Sequence, residues 1–359
     1  MNLGVGAYRT DEEKPYVFEV VKKVEKELLE DLLSGKIDKE YLPIDGDANF
    51  RELTKKLVFG ADCQHLARIV SAQTLSGTGS LRVGFEFARK FIPATVHVPK
   101  PTWITHHAII NNAGLQFQEY PYYNSKTKGF DLTGMLQYLN SLPKHAIVLL
   151  HVAAHNPTGV DPIKEQWAQI AEVMKNKNLF PYFDFAYQGF ASGCTEADAF
   201  PVRHFLEKGF QMIVSQSFAK NMGLYGERVG ALHVVTSNTK TAEKVLSQLK
   251  LVIRPMYSNP PCHGMLIASK ILSNEKYNNE WKDELKTVSN RITEVRKLLR
   301  EELERLNTPG TWDHITSQIG MFSYTGLAEK QCEILINNFH IFLLKNGRIS
   351  LVNYISLTF

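Results

Sequence analysis

The residue in this sequence best placed for covalent chemistry is Lys220. It follows the apolar run MIVSQS and sits in SFAKNMGLYGERVG among Phe218, Met222 and Leu224. Such neighbours desolvate an amine and favour its neutral, nucleophilic form, the form that condenses with an aldehyde. A solvated lysine on a loop is the plain alternative. Other chemistry-bearing residues also follow apolar runs. After IVSAQT comes Leu75-Ser76-Gly77-Thr78-Gly79, which puts free N–H groups and hydroxyls at the start of the helical segment LRVGFEFARK, suiting a phosphate. Taken alone, the segment reads more simply as a Ser/Thr/Gly turn that caps a helix. The spacing Gly77, Gly79, Gly84 is no G-x-G-x-x-G, so a dinucleotide fingerprint is absent. After AIVLLH come His155 and Asn156, and FPYFDF ends on Asp184-Phe185 with Tyr187 just beyond. A carboxylate ending an apolar strand needs a cation or donors, whether from a ligand or from a turn it caps. His151 and His155, four apart, would share a face only on a helix, and this segment leaves a strand, so no metal site is expected.

These residues need a scaffold that brings strand ends together. Between about residues 69 and 235 the runs IVSAQT, VHV, AIVLLH, FPYFDF, MIVSQS and ALHVV alternate with helical-period segments such as 162–176, for which Asp161 is the expected N-cap. The alternation predicts an α/β fold with a mostly parallel sheet flanked by helices, and such sheets collect ligands at the carboxyl ends of their strands. Phosphate loop, Asn156, the Asp184/Tyr187 pair and Lys220 would then converge on one edge. Downstream, apolar residues at Trp281, Leu285, Val288, Ile292, Val295, Leu299 and Leu303 predict one long amphipathic helix over 277–306. IGMFSYTG and IFLL read as strands, with a helix around 331–338 between them and Gly347-Arg348 beyond, a smaller α+β unit. The expected division is a large domain at 21–276 and a discontinuous small domain made of 1–20 and 277–359.

Composition narrows the function classes. The 359 residues are 44% apolar and 22% charged, enough for a sizeable core, and the formal charge of +4 is spread without a Lys/Arg run. A nucleic-acid partner is not expected. The apolar runs fall far short of the roughly 20 residues that span a bilayer, so neither is a membrane. Cys63, Cys194, Cys262 and Cys332 form no C-x-x-C pair, which fits a reducing compartment and no zinc cluster. The start MNLGVGAYRTDEEKPY shows no signal core or transit-peptide pattern.

Taken in order, NLGVGAYR, EYLPI, LSGTG, PTW, HNPTGVDP, FDFAYQGFASG, SFAKNMGLYGERVG, RPMYSNPP and QIGMFSYTGL span nearly the whole chain. The series resembles the fold-type I, pyridoxal-phosphate-dependent aminotransferases, and within them the aspartate aminotransferase family. RPMYSNPP and GRIS look more like its mitochondrial branch, which implies a mitochondrial matrix location if a presequence precedes this start, and a cytoplasmic one otherwise.

The resemblance implies transamination between aspartate and 2-oxoglutarate, with a role for each matching residue. Lys220 would hold the cofactor aldehyde as an imine and then shuttle the proton at the substrate α-carbon. Asp184 would pair with the pyridine nitrogen, with His106 behind it. Tyr187 and Asn156 would bond the phenolic oxygen, and Trp103 would stack on the ring, plain core packing being its alternative. Ser76, Gly77, Thr78, Ser217 and Arg228 would grip the phosphate, with Tyr41 reaching in from a partner subunit, so that a homodimer shares its sites. Arg348 and Asn156 would take the α-carboxylate, Arg254 of the partner subunit the side-chain carboxylate, and Gly6 would let the backbone close over the substrate.

The family usually has an arm before NLGVGAYR and a further helix after GRIS, so both ends look shortened here. That raises a second expectation, a catalytically impaired homologue acting as a dimer-forming or binding protein. A third is broader specificity for aromatic substrates such as kynurenine. Phe185 stands where the family often has a smaller residue, a change in local packing.

Overall fold

A computed structural model describes residues 1–353 apart from Asp11 and Glu13. The run from Tyr354 to Phe359, on which the expectation of a shortened end rests, lies outside the described residues. The main sheet has seven strands: β1 (Ile69–Leu75), β2 (Val96–Lys100), β3 (Phe117–Pro121), β6 (Ile147–His151), β7 (Phe180–Phe185), β8 (Met212–Ser217) and β9 (Val229–Val235), in the order β1-β9-β8-β7-β6-β2-β3. Between β3 and β6 the chain makes a small ribbon, β4 (Tyr123–Asn124) with β5 (Gly129–Phe130). The pairs from β3 through β8 are parallel, while β9 runs antiparallel to both β8 and β1. Two reversals restore direction, so β1 ends on the same edge as β6, β7 and β8.

Alternation along the central strands explains why they read as continuous apolar runs. In β6, Ile147 and Leu149 enter one buried cluster and Val148 and Leu150 the other, so both sheet faces are covered. One face is packed by α3 (Ser76–Phe91), α4 (Thr105–Asn112) and α9 (Thr239–Tyr257). The opposite face and its surroundings hold α1 (Glu19–Leu33), α2 (Ala48–Phe59), α5 (Leu132–Ser141), α6 (Lys164–Asn176), α7 (Thr195–Asp198), α8 (Phe200–Glu207), α10 (His263–Ser273) and α11 (Glu275–Arg305). Phe185 is fully buried within this second cluster, which therefore accommodates the larger side chain.

The long amphipathic helix is present as α11, and it does more than cover the sheet. Fully buried Trp281 donates its Nε1–H to the carbonyl of Asn221 at 2.6 Å, and Asn221 Nδ2 donates to the carbonyl of Gln188 at 3.1 Å. The backbone next to Lys220 is thus tied to α11 and to the segment after β7. A smaller cluster of Leu3, Val295, Cys332, Leu343, Ile349 and Leu351 joins the N-terminal segment and α11 to α13 (Glu329–Phe339) and β11 (Arg348–Ser350), which follow α12 (Asp313–Ser317) and β10 (Phe322–Tyr324) in the chain. The expected boundaries at 20/21 and 276/277 fall just inside α1 and α11.

Two local expectations are corrected. Asp161 does not cap α6: its carboxylate accepts the N–H groups of Ala154 at 2.6 Å and His155 at 2.8 Å. Pro162 has no N–H, the N–H of Ile163 is taken by Gln166 Oε1 at 2.9 Å, and the helix begins only at Lys164. IFLL forms no strand beyond a single bridge of Phe342 to Asn2, with Phe342 and Leu344 exposed. The strand lies later, where the GRIS turn residues Arg348–Ser350 pair antiparallel with Phe322–Tyr324.

Candidate active site

The edge where β1, β6, β7 and β8 end carries a cavity of about 240 Å³. Among the residues singled out from sequence, Gly6, Ser76, Gly77, Thr78, Trp103, Asn156, Asp184, Tyr187, Ser217, Lys220, Arg228 and Arg348 all line it. Its floor is the first turn of α3, a sixteen-residue helix whose N-terminal N–H groups and dipole favour an anion. The turn is strained: Ser76 has φ 59° and Arg228, opposite it, φ 54°. The Ser76 N–H donates to the Arg228 carbonyl at 3.1 Å, and a Cβ on Gly230 would stand 2.7 Å from Ser76 Cα, so only glycine lets β9 approach this closely. Ser76 Oγ and Ser217 Oγ lie 3.0 Å apart, and Ser217 Oγ also accepts the Ala219 N–H at 3.2 Å. These hydroxyls, with Thr78 and the Arg228 guanidinium, suit the terminal oxygens of a phosphate.

Lys220 lies deeper in the same cavity. Burial pulls its pKa below the ordinary lysine value, although Asp184 opposes this, and its Nζ is 5.5 Å from the centre of the Tyr187 ring. The desolvated amine anticipated from its apolar neighbours is therefore in place.

Asp184 is held by a directional relay whose sense follows from its ends. The Asn156 N–H points at His151 Nδ1 at 3.4 Å, so His151 carries its proton on Nε2, which faces Thr102 Oγ1 at 3.1 Å. The Thr102 hydroxyl then donates to His106 Nδ1 at 2.8 Å, and His106 Nε2–H donates to Asp184 Oδ2 at 3.0 Å. Burial depresses the pKa of His151 to about 3, consistent with a neutral ring. Burial alone would raise the Asp184 carboxyl, but the His106 hydrogen bond and nearby positive charge including Lys220 outweigh it and hold the pKa below the usual range. Nitrogen and oxygen atoms of His106, His151 and Asp184 come within 4.8 Å of one another, a metal-like grouping that the sequence reading did not consider. The relay uses the ring nitrogens as donors and acceptors, which leaves them no lone pair to ligate with. One carboxylate charge, aimed into the cavity and fixed from behind, is what a protonated heterocycle would meet.

Arg348 enters from β11. Its Nη1 donates to Asn156 Oδ1 at 3.1 Å and its Nη2 to the Gly4 carbonyl at 3.0 Å, while the guanidinium carbon lies 4.0 Å from the centre of the Phe322 ring. Burial lowers its pKa. Asn156 also hydrogen-bonds Tyr187, whose phenol is pushed well up by burial. A Cβ on Gly6 would come 3.2 Å from Phe322 Cζ, so a side chain there would press on the ring under Arg348. Trp103 meets His106 edge-on, with ring centres 5.2 Å apart, and forms another wall.

Two anticipated residues stand away from this chain's own cavity. Tyr41 is 81% exposed, and Arg254, near the end of α9, is exposed and bonds Ser258 Oγ at 2.8 Å. Residues that the sequence reading left out are Thr102 and Phe322. Thr102 stands beside Trp103 in the quoted PTW segment, but its place between two histidines depends on β2 lying next to β6. Phe322 gives only a strand signal in the sequence, and its place under Arg348 follows from the β10–β11 register, which pairs Tyr324 with Arg348.

An anion-binding cradle, a desolvated lysine and a fixed carboxylate around one small cavity fit a phosphorylated aromatic aldehyde, which sets the chain among the pyridoxal-phosphate-dependent transferases. More particularly, it belongs to the aminotransferase class I and II family, whose model matches residues 1–354. Aspartate aminotransferase 1 of Medicago sativa is 51% identical over 361 aligned residues, covering 100% of this chain and 86% of that protein. The structure of a mitochondrial aspartate aminotransferase from Trypanosoma brucei superposes with a TM-score of 0.94 at 42% identity, covering 99% of this chain and 92% of the other. An aromatic-amino-acid aminotransferase from Burkholderia pseudomallei, solved covalently bound to pyridoxal phosphate, gives a TM-score of 0.95 at 41% identity over 99% of this chain and 88% of its own.

Proposed function

We infer that this chain moves the amino group of L-aspartate to 2-oxoglutarate, giving oxaloacetate and L-glutamate, with pyridoxal phosphate as cofactor. The observation that carries the reading is the placement of Lys220, Asp184 and Arg348 around one cavity whose floor is the α3 N-terminus. Bound there, pyridoxal phosphate supplies an aldehyde that takes up the amino group and a protonated ring that draws off the electrons freed at the α-carbon.

The chain's own residues do the rest. Lys220 would hold the aldehyde before substrate arrives, and its Nζ would then accept and return the substrate's α-proton. Its lowered pKa keeps a share of the amine free to accept that proton. Asp184 keeps a proton on the ring nitrogen, and the relay through His106 holds the carboxylate in position. Tyr187 and Asn156 bond the phenolic oxygen, Trp103 packs on the ring, and Ser76, Gly77, Thr78, Ser217 and Arg228 hold the phosphate. Arg348 forks onto the α-carboxylate with Asn156 beside it, and the segment around Gly6 in the small domain, 1–20 with 277–359, closes over the substrate and excludes water.

We further propose a homodimer in which Tyr41 and Arg254 of the partner subunit complete each site. Exposed Tyr41, Ile104 and Leu251 support this assembly. The closeness of RPMYSNPP and GRIS to the mitochondrial branch supports a matrix location, which fractionation of the native cells would test: recovery in the cytosolic fraction alone would reject it. The activity itself is tested by oxaloacetate formation from aspartate when 2-oxoglutarate is added to the cofactor-loaded protein. No turnover above a cofactor-only control would remove the reading.

A broader, aromatic specificity is the second reading, favoured by the likeness to the aromatic-amino-acid aminotransferase of Burkholderia pseudomallei. Substituting Arg254→Leu should lower kcat/KM for aspartate by roughly 100-fold, the worth of a charge-assisted bidentate contact, and leave phenylalanine nearly unchanged. Equal losses on both substrates would deny Arg254 its role. Mixing Lys220→Ala chains with Arg254→Leu chains should restore aspartate turnover to roughly a quarter of wild type, since half the dimers are mixed and each rebuilds one site. No recovery on mixing would argue against shared sites.

A further inference from the structure

Arg296 is a deeply buried charge that the mechanism above does not use. It lies on α11, 3% exposed, and among the described residues no carboxylate pairs with it. A cation buried without a counter-ion is costly unless dipoles replace the lost water. Here carbonyl oxygens do so: Nη1 donates to Ile315 at 2.9 Å, and Nη2 to Gly320 at 2.8 Å and to Phe322 at 2.5 Å. Burial brings its pKa down to about 9, so it remains charged at neutral pH.

The three carbonyls belong to one short stretch, from α12 to the first residue of β10, and Arg296 gathers both ends of it. The other side of that stretch is pressed against the loop that carries Asn156. The Ile319 N–H donates to the Gly159 carbonyl at 2.7 Å, and a Cβ on Gly159 would meet the Phe322 carbonyl at 2.9 Å. A Cβ on Gly320 would meet Ala154 Cβ at 2.3 Å. The segment is thus clamped between Arg296 and residues 153–159, and Phe322 leaves it with its ring under the Arg348 guanidinium, next to Gly6.

We propose that Arg296 is a positioning residue for substrate binding: by fixing the 315–322 segment it sets the Phe322 ring that holds Arg348 in place for the α-carboxylate. The proposal rests on Arg348 binding that carboxylate. Arg296 acts through carbonyls and Phe322 and is not among the residues that line the cavity of Lys220 and Asp184. Its loss therefore affects recognition of every substrate that bears an α-carboxylate, whatever its side chain, and leaves the electronic environment of the bound cofactor alone.

The test compares Arg296→Met and Arg296→Lys in the cofactor-loaded enzyme. For Arg296→Met, KM should rise about tenfold for both aspartate and phenylalanine, with kcat changed less than threefold and the pH titration of the Lys220-bound chromophore unmoved. Arg296→Lys, which keeps the charge but lacks the fork, should fall between that variant and wild type. Should Arg296→Met fail to fold, the lysine variant and a cycle with Phe322→Leu carry the test. If Arg296 acts through Phe322, the lysine substitution adds little to KM in the Phe322→Leu background. Additive effects, or a fall in thermal stability with KM unchanged, would overturn the proposal and leave Arg296 a structural residue. Failure of the underlying reading would look different, because wild type itself would then not turn over aspartate.

Discussion

Replacing Lys220 with alanine is expected to lower kcat for aspartate by at least ~10⁴-fold, because one side chain carries both the covalent anchor and the proton transfer. Lys220→Arg should be nearly as inactive, since a guanidinium stays protonated and cannot take a proton from carbon. The fold should survive both changes. Lys220 contributes an unfavourable buried amine, as its lowered pKa shows, and the surrounding segment is held independently by Trp281 on Asn221 and by Asn221 on Gln188. Thermal melts near those of wild type, together with lost turnover and retained phosphate-dependent cofactor binding, are the expected result. Activity within tenfold of wild type would show that another base does the work.

The second large effect is expected at Asp184. Its carboxylate is ionised across the working range because its pKa lies below the ordinary value, so it contributes full charge at neutral pH and would lose that charge only under strong acid. Asp184→Asn keeps the shape and removes the charge. Truncating one partner of a buried ion pair costs about 3–5 kcal/mol, which corresponds to roughly 10²–10³·⁵ in kcat if the cost falls on the charge-separated transition state. Asp184→Glu should retain part of the rate, limited by misplacement against His106. Rate constants from single turnovers give the measurement, and an asparagine variant within fivefold of wild type would mean that ring protonation is not maintained by this residue. Thr102→Val, which breaks the relay behind His106, should give a smaller loss in the same direction, for the carboxylate would keep its charge but lose fixed orientation.

The parts of the site legible in the sequence are those carried by the ends of buried strands. Asp184 stands near the end of β7 and Lys220 follows β8, strands whose residues all but Phe180 are buried, so apolar runs ending in polar residues mark both the strands and the edge where chemistry collects. Edge strand β3 was not legible: its residues alternate between half-buried and exposed apart from Tyr120, and nothing local separates such a stretch from a loop. In the small domain, Arg348–Ser350 is only three residues long and follows Gly347, so turn chemistry masked a strand, whereas the more apolar IFLL run is held by one bridge and leaves Phe342 in solvent. Asp161 failed as a cap because a tertiary demand, two N–H groups in the loop bearing Asn156, outcompeted the local one. Phe322 and Arg296 belong to the same class. Their positions depend on register and long-range packing, which spacing along the chain does not encode.

One particular amine, the desolvated Lys220, captures the cofactor's aldehyde. Borohydride reduction of the cofactor-loaded protein followed by peptide mass spectrometry addresses it directly. The account predicts a phosphopyridoxyl mass increment confined to the peptide containing Lys220, and prior incubation with aspartate should remove it. Increments spread over surface lysines, or an unmodified Lys220 peptide in protein that still turns over aspartate, would contradict the account.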